Sequence, residues 1–148
     1  KREEYYKAFL KHKDIQWGIG RVSESMIDKV NIYQATRLAM KRAACNLSKK
    51  VSPDFLYVDG TMQIDVPILQ KAVVRGDETI ELCAIASIIA KVTRDRLMAS
   101  YHKKYPRYGF NRHKGYGTKF HVAMLKKYGP CAIHRKTFAP VTNAMKHT

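Results

Sequence analysis

Two short apolar runs, each followed by an aspartate, constrain the fold of this 148-residue chain more than any other feature. Residues 55–58 and residues 72–74 are rich in side chains that favour β-strands, and Asp59 and Asp77 come after them. Long segments with apolar side chains at helical spacing lie on either side of these runs. Strands and helices in alternation predict an α/β domain with a mixed sheet.

The helix boundaries follow from capping signals and helix-ending residues. Ser25 and Asp28 have the spacing of a capping box, with Asp in place of the preferred Glu or Gln. Thr118 is a suitable N-cap for a helix that Gly129 and Pro130 would end. The predicted helices are residues 1–11, 25–47, 81–102 and 119–128, with a further strand at residues 15–22 and an irregular tail from Thr142.

The chain is strongly basic, with 28 Lys and Arg against 12 Asp and Glu and a formal net charge of +16. Such a charge attracts polyanions, because Lys and Arg that neutralise phosphates release condensed counterions. Charge alone leaves nucleic acid, an acidic membrane surface and an acidic protein open as partners. Residues 101–128 favour nucleic acid, because there basic residues alternate with rings that can pack on sugars or bases. The rings of this basic-aromatic segment are Tyr101, Tyr105, Tyr108, Phe110, Tyr116, Phe120 and Tyr128.

Other features of the composition exclude several classes. The 45% apolar content supports a packed core and argues against disorder. The longest apolar stretch, residues 82–90, is far shorter than the roughly 20 residues of a membrane span. Cys45, Cys83 and Cys131 are widely spaced and odd in number, which favours small buried hydrophobes in a reducing compartment. We therefore expect a soluble, cytoplasmic protein. His113, His121 and His134 lack zinc-site spacing.

Asp59 and Asp77 are the residues best placed for catalysis. Ligands of α/β sheets gather at the carboxyl ends of strands, so two parallel strands would bring these carboxylates together. Magnesium prefers oxygen ligands, and two cations about 3.5 to 4 Å apart stabilise the attacking and leaving oxygens of a phosphodiester displacement. Each aspartate taken singly is better explained as a turn or cap residue. Asp95 could reach the same site, although an exposed helical residue paired with an arginine explains it better. Both aspartates together, in so basic a chain, favour a nuclease.

Several motifs then occur in a fixed order along the chain. They are Tyr57-Val58-Asp59-Gly60, Val74-Arg75-Gly76-Asp77, residues 86–96 from Ala86-Ser87-Ile88 to Arg94-Asp95-Arg96, Tyr108-Gly109-Phe110, His113-Lys114-Gly115-Tyr116-Gly117-Thr118, and residues 133–141 from Ile133-His134-Arg135 to Pro140-Val141. In this order they resemble the signatures of bacterial ribonuclease HII. The resemblance covers nearly the whole chain, and several ordered motifs are far more specific than one short pattern.

The resemblance implies an RNase H-like mixed sheet flanked by helices, with a helical C-terminal part. It also implies magnesium- or manganese-dependent cleavage of the RNA strand of RNA–DNA hybrids, and cleavage at ribonucleotides embedded in duplex DNA. Asp59 and Asp77 match the family's catalytic, metal-binding aspartates. Tyr116 matches the tyrosine that packs on the sugar at the RNA–DNA junction. Lys114, beside it, and Arg135, in the last motif, are predicted to bind substrate.

The sequence departs from the family's pattern in two ways. Arg75, Glu78 and Glu81 stand where the family more often has Lys, Ser and Pro, which leaves the ligand pattern intact. The larger departure is that the family's first signature, Asp-Glu followed by Gly-Arg-Gly, is absent from the sequence. We therefore expect a chain that lacks an N-terminal portion with two further carboxylates and the first strands of the sheet, and that is inactive by itself.

These considerations predict one structural unit with two parts. Residues 1–100 form an RNase H-like catalytic core, incomplete at its N-terminus, and residues 101–148 form a helical, basic and aromatic substrate-binding part. The missing strands would come from the same gene product or from another chain. The alternative is a non-catalytic module that binds nucleic acid through the same basic surface without cutting it.

Overall fold

The computed structural model describes residues 1–146, which form two compact units. The first unit contains Lys1–Val22 and Val30–Val92, and the second contains Ser23–Lys29 and the chain from Thr93 onward. The helices are α1 (Arg2–Lys11), α2 (Glu24–Ser48), α3 (Gly76–Thr79), α4 (Glu81–Lys104), α5 (Phe110–His113), α6 (Lys119–Tyr128) and α7 (Ala139–Met145), with a 3-10 turn at Pro106–Tyr108. Within residues 1–146, no helix is long and apolar enough to cross a membrane.

The first unit is built on two parallel strands, β1 (Phe55–Asp59) and β2 (Leu69–Val73). Their register pairs Phe55 with Leu69 and Asp59 with Val73, so both strands end at the same edge. The predicted α/β class is thus confirmed, with a two-stranded parallel sheet in the part of the chain that the structure describes. The second strand begins at residue 69 instead of 72.

The core of the first unit lies between β1, α2 and the connection of residues 60–68. Val58 of β1, Ala44 of α2 and Ile64 of the connection are buried together. The side-chain amide of Gln70 accepts a hydrogen bond from Ile64 N and donates one to Ile64 O, both at 2.8 Å. Gln70 therefore ties the connection to β2 and closes the core.

The predicted strand at residues 15–22 is wrong, because this segment has no strand partner within residues 1–146. It instead lies along α2 and the turn just after it, where side chains at every fourth position bind three of its carbonyl oxygens. Lys50 Nζ donates to Trp17 O at 3.0 Å, Asn46 Nδ2 to Ile19 O at 2.8 Å, and Arg42 Nη1 to Arg21 O at 2.6 Å. The apolar pattern is real, but three of the backbone acceptors are bound by side chains of α2 and of Lys50 just beyond it, and not by a neighbouring strand.

Two glycines allow the segment of residues 17–21 to lie directly on the backbone of α2. A Cβ added to Gly20 would be 1.8 Å from Ala39 O, and one added to Gly18 would be 2.2 Å from Ala43 O. Both contacts are with helix backbone, which cannot rotate out of the way. A side chain at either position would therefore separate the segment from the helix.

We expect Gly20→Ala to lower the free energy of unfolding by about 1 to 3 kcal/mol or more, the usual range for overpacking. The measurement is urea denaturation followed by circular dichroism. Gly117→Ala is the matched control, because a Cβ there would meet its nearest neighbour, Pro140 Cγ, at an ordinary 3.4 Å. Equal stability of the two variants would contradict the close approach at Gly20.

The second helix differs from the prediction at both its start and its middle. It begins at Glu24, with the Ser23 hydroxyl accepting a hydrogen bond from the amide three residues on, so Ser25 is not the cap. Asn31 (φ 67°, ψ 169°) interrupts the helix, and its Oδ1 accepts a hydrogen bond from Gln34 N at 3.0 Å. The predicted single helix is therefore two helical segments, because a side chain re-caps the backbone in mid-course.

The second unit is a cluster of helices around an apolar core. Thr118 caps α6 as predicted, its Oγ1 accepting a hydrogen bond from His121 N, and Gly129 (φ 69°) ends the helix. Thr142 lies within α7, so the predicted irregular tail is wrong as far as Met145; residues 147–148 lie outside the described residues. The buried core residues are Met98, Tyr108, Phe110, Leu125, Val141 and Ala144.

Candidate functional site

The two predicted catalytic aspartates lie at the carboxyl edge of the small sheet. Asp59 is the last residue of β1, and its Oδ1 accepts a hydrogen bond from Gly76 N at 2.8 Å. Asp77 follows Gly76 in α3, so it lies a few residues beyond the end of β2 and not directly after the strand as predicted. The left-handed Arg75 (φ 56°) turns the chain from β2 into α3. Both carboxylates are exposed.

The buried thiol of Cys83, near the start of α4, is affected by both carboxylates. Burial and then the negative charges of Asp59 and Asp77 raise the pKa of Cys83. A Cβ added to Gly76 would lie 3.4 Å from both Asp59 Cα and Cys83 Sγ, so the glycine allows β1, α3 and α4 to meet closely. The negative charges of Asp59 and Asp77 therefore both affect the region around Gly76 and Cys83.

The donor set suits a hard divalent cation. Magnesium keeps several waters and binds through one or two carboxylates together with substrate phosphates. Two exposed carboxylates at a strand edge fit that description. Within residues 1–146, no group of three or more His, Cys, Asp or Glu side chains is placed to hold a metal ion. Asp59 and Asp77 as metal ligands stay a prediction.

Glu78, the carboxylate next to Asp77 in the sequence, is partly balanced by a neighbouring cation. Glu78 in α3, one of the departures from the family pattern, forms an ion pair with Arg75, the residue just before the helix. The extra carboxylate is thus paired with the arginine that stands where the family more often has Lys. This pairing limits the negative charge that Glu78 adds beside Asp77.

The basic-aromatic segment lies in the second unit, and only part of it is a surface. Tyr108 and Phe110 are 6% and 2% exposed and belong to the core, so their predicted contact with nucleic acid is wrong. They pack against each other with ring centroids 5.6 Å apart. The exposed rings are Tyr116 at 60%, Phe120 at 43% and Tyr128 at 41%.

Each of these three exposed rings carries a cation over it. The guanidinium carbon of Arg94 lies 5.6 Å from the centroid of Tyr116, that of Arg112 lies 6.0 Å from Phe120, and that of Arg107 lies 5.3 Å from Tyr128. We name these three pairs the cation–ring pairs. Paired rings and guanidinium groups suit sugars or bases beside phosphates.

The Tyr116 loop is held through its backbone. Lys114 (φ 52°) and Gly115 (φ 86°) are both left-handed, which turns the chain sharply before Tyr116. Tyr116 N donates to His113 O at 2.9 Å, and Thr118 N donates to Tyr116 O at 2.9 Å. The ammonium of Lys114, predicted to meet a phosphate, donates to Asn111 O at 2.6 Å.

Arg135, the third predicted substrate-binding residue, lies in a loop anchored by Asp28. Lys136 N and Thr137 N donate to the Asp28 carboxylate at 2.8 and 3.0 Å, and the Thr137 hydroxyl donates at 2.6 Å. Burial by itself would raise the pKa of Asp28, but the hydrogen bonds from Thr137 and Lys136 outweigh burial and lower the pKa. The Arg135 guanidinium lies 4.6 Å from the centroid of the Phe138 ring. Asp28 was predicted as part of a helix cap and instead organises a basic loop.

Three buried histidines form a network that the sequence reasoning missed. His113 and His121 stack with ring centroids 4.2 Å apart, and His121 Nε2 lies 3.0 Å from His134 Nε2. His121 Nδ1 lies 2.9 Å from Tyr116 O, and His134 Nδ1 accepts a hydrogen bond from Cys131 N at 2.9 Å. Because a carbonyl only accepts, Nδ1 of His121 donates and its Nε2 accepts from His134. No regular spacing marks these residues, so only the fold brings them together.

The cysteines are all free, and two of them match the prediction. Cys83 is buried and Cys131 is partly buried beside His134, whereas Cys45 is exposed on α2. The prediction of a buried Cys45 is therefore wrong. Its neighbour on α2, Ala44, is buried instead.

The histidine network predicts acid sensitivity of the fold. Burial and the neighbouring His121 lower the pKa of His134 from 6.5 to about 4, and burial lowers the pKa of His121. Above pH 6.5 the histidine is neutral in both the folded and the unfolded chain, and the fold has its full stability. Between pH 6.5 and about 4 the unfolded chain takes up the proton and the fold does not, so the stability falls as the pH falls. We expect the free energy of unfolding to fall by about 2 kcal/mol between pH 7 and pH 5.

Urea denaturation at both pH values measures this loss. The variant His134→Gln should flatten the dependence, whereas the control His12→Gln, at an exposed histidine, should leave it unchanged. Stability that is equal at pH 7 and pH 5 in the unsubstituted protein would show that the network is not neutral in the fold.

Comparison with known proteins assigns the fold class first. The structure resembles the crystal structure of the ribonuclease H2 from Pyrococcus horikoshii OT3 with a TM-score of 0.72, covering 98% of this chain and 75% of that chain. The two sequences are 19% identical, so the likeness shows the fold alone. The predicted RNase H-like α/β fold is confirmed.

Sequence comparison then assigns the family. The profile of the family Ribonuclease HII matches residues 5–141. Ribonuclease HII of Bacillus velezensis is 50% identical over 142 residues, which is 95% of this chain and 54% of that protein. Ribonuclease HII of Polynucleobacter necessarius is 44% identical over 147 residues, 98% of this chain and 75% of that protein. The chain therefore belongs to the ribonuclease HII family, as its motifs predicted, and spans about half the length of the Bacillus relative.

Proposed function

We propose that the protein is a divalent-metal-dependent endoribonuclease. Its substrates are the RNA strand of RNA–DNA hybrids and ribonucleotides embedded in duplex DNA. The observation that carries this proposal is the pair of exposed carboxylates, Asp59 and Asp77, at one edge of two parallel strands in a chain about half identical to proteins named Ribonuclease HII.

In this proposal, Asp59 and Asp77 would be ligands of magnesium or manganese. When bound, the metal would supply stabilisation of the negative charge on the attacking and leaving oxygens of the phosphodiester, in the manner of a two-metal site. The hydrogen bond from Gly76 N fixes the Asp59 carboxylate at the end of β1. Exposure of both aspartates leaves room for a phosphate to approach.

The second unit contributes the binding of the duplex in this proposal. Its exposed cation–ring pairs offer positive charge for phosphates and aromatic faces for sugars. Tyr116 packs on the deoxyribose at the RNA–DNA junction, and Lys114 and Arg135 contact phosphates. We also propose a location in the cytoplasm, a reducing compartment that suits three free cysteines.

Two further carboxylates implied by the family resemblance have no matching motif in these residues. We therefore propose that residues 1–148 alone do not cleave, and that the remaining carboxylates come from the same gene product or from another chain. The runner-up function is a binding module that uses the cation–ring pairs without cutting.

Cleavage of a labelled duplex with one embedded ribonucleotide distinguishes these functions. The full-length gene product should cut it in magnesium or manganese and stop when a chelator is added, whereas residues 1–148 alone should bind without cutting. Binding should weaken with salt, with a log-log slope of roughly −0.9 for each phosphate contacted. A full-length protein that binds the duplex and leaves it intact in both metals would replace the nuclease proposal with the binding module.

A further inference from the structure

We propose that Arg94 is a positioning residue that holds the Tyr116 ring and the backbone before it in the conformation that reads the RNA–DNA junction. The inference rests on the proposed function, because it assumes that Tyr116 packs on a sugar. Arg94 lies on the exposed side of α4, within the second unit, and the motif that contains it gave no indication of this role.

The first contact is with the backbone of the loop. Arg94 Nη1 donates a hydrogen bond to Lys114 O at 2.8 Å. Lys114 is a non-glycine residue in the left-handed region, at φ 52°, and such a conformation persists only where surrounding contacts hold it. The hydrogen bond from Arg94 stabilises this turn, because its acceptor is the carbonyl of the peptide that joins the left-handed Lys114 and Gly115.

The second contact is with the ring itself. The guanidinium carbon of Arg94 lies 5.6 Å from the centroid of Tyr116, within the range of a cation–π interaction. The Tyr116 side chain is nonetheless 60% exposed. A planar cation over the ring therefore selects among the orientations that the exposed side chain could take.

A third observation explains why Arg94 can reach both partners. A Cβ added to Gly115 would lie 3.8 Å from Arg94 Nη2 and 3.3 Å from Met98 Cε, so the loop passes close over α4 at this point. One guanidinium thus contacts the residues on both sides of Gly115. The ammonium of a lysine is a point charge that cannot bind a carbonyl and stack on a ring with the same planar geometry.

The experiment compares Arg94→Gln, Arg94→Lys and Tyr116→Ala in the full-length gene product. A matched control is Arg2→Gln, which removes the same charge from an exposed residue of α1. The readouts are kcat and KM on a duplex with one embedded ribonucleotide, and thermal melting. Arg94→Gln should lower kcat by about tenfold with KM within about twofold, since the cation–π contact and the hydrogen bond that hold the ring and the turn are lost. The melting temperature should fall only slightly, because Arg94 is exposed and lies outside the buried core.

The conservative variant and the double variant test the mechanism. Arg94→Lys should lie between Arg94→Gln and the unsubstituted protein. In the Tyr116→Ala background, Arg94→Gln should cost less than twofold more, because a positioning residue has nothing left to position. If Arg94→Gln fails to fold, Arg94→Lys replaces it: Arg94→Lys should lower kcat alone and add little further loss in the Tyr116→Ala background.

The failures of the two proposals are separable. If Tyr116→Ala cleaves the junction substrate normally, the role of Tyr116 in the proposed function is overturned. If Tyr116→Ala is impaired and Arg94→Gln is not, only the inference on Arg94 is overturned. An equal loss of kcat from Arg94→Gln in the unsubstituted protein and in the Tyr116→Ala background would also overturn the inference on Arg94, since Arg94 would then act on the substrate directly.

Discussion

In the full-length protein, Asp59→Asn and Asp77→Asn should each reduce cleavage at least about 100-fold while leaving binding of the duplex intact. Asparagine keeps the size of the side chain and removes the charge that would hold a cation. At residue 59 it also keeps an Oδ1 that can accept the hydrogen bond from Gly76 N, so the strand end should stay in place. Binding should be unchanged or tighter, because repulsion between the carboxylate and the phosphates is lost.

Steady-state cleavage in magnesium, with fluorescence anisotropy for binding, measures both effects. Asp54→Asn removes the same charge from an exposed residue just before β1 and should cleave at the unsubstituted rate. Near-normal turnover of either Asp59→Asn or Asp77→Asn would assign that aspartate to the turn alone. Asp59 already has such a structural role, since its Oδ1 binds the first amide of α3.

The second large effect is expected at Tyr116. Tyr116→Ala should lower cleavage at a single embedded ribonucleotide by about 5- to 150-fold, which corresponds to about 1 to 3 kcal/mol for the loss of one stacked ring. Tyr116→Phe should be mild, because the aromatic face remains. Melting temperature should change little, since the ring is exposed and lies outside the buried core of the second unit.

Parallel assays on the junction duplex and on a uniform RNA–DNA hybrid measure the specificity of this loss. Tyr33→Ala is the matched control, since Tyr33 is also about half exposed but lies on α2. If Tyr116→Ala unfolds the protein, the tyrosine is structural. If both duplexes are cut normally by a folded Tyr116→Ala variant, the loop does not read the junction.

The sequence predicted those elements whose signals are local. The long helix α4 and the capped helix α6 were expected within two residues of their observed ends, because periodicity, an N-cap and a helix-ending glycine act over a few residues. The parallel pairing of β1 and β2 was consistent with two aspartates at neighbouring strand ends. The motifs also identified the family, since their order carries information that composition does not.

Other features depend on contacts between distant residues and could not be read from the chain. Residues 15–22 have the apolar pattern of a strand, yet three side chains in and just beyond α2 bind three of their carbonyl oxygens. The burial of Tyr108 and Phe110 distinguishes them from Tyr116 only once the helices are packed. Asp28 anchors the loop of Arg135 across more than 100 residues of sequence, which no local signal predicts.

Residues 17–21 are fixed in place by α2 and by Lys50 just beyond it, but this fixation does not protect their amide hydrogens from exchange with solvent. The three hydrogen bonds from Lys50, Asn46 and Arg42 all engage carbonyl oxygens of the segment and none of its amides. Exchange with deuterium reports on the amide hydrogen alone. This segment would therefore exchange as fast as a loop while glycine-to-backbone packing keeps it fixed on the helix.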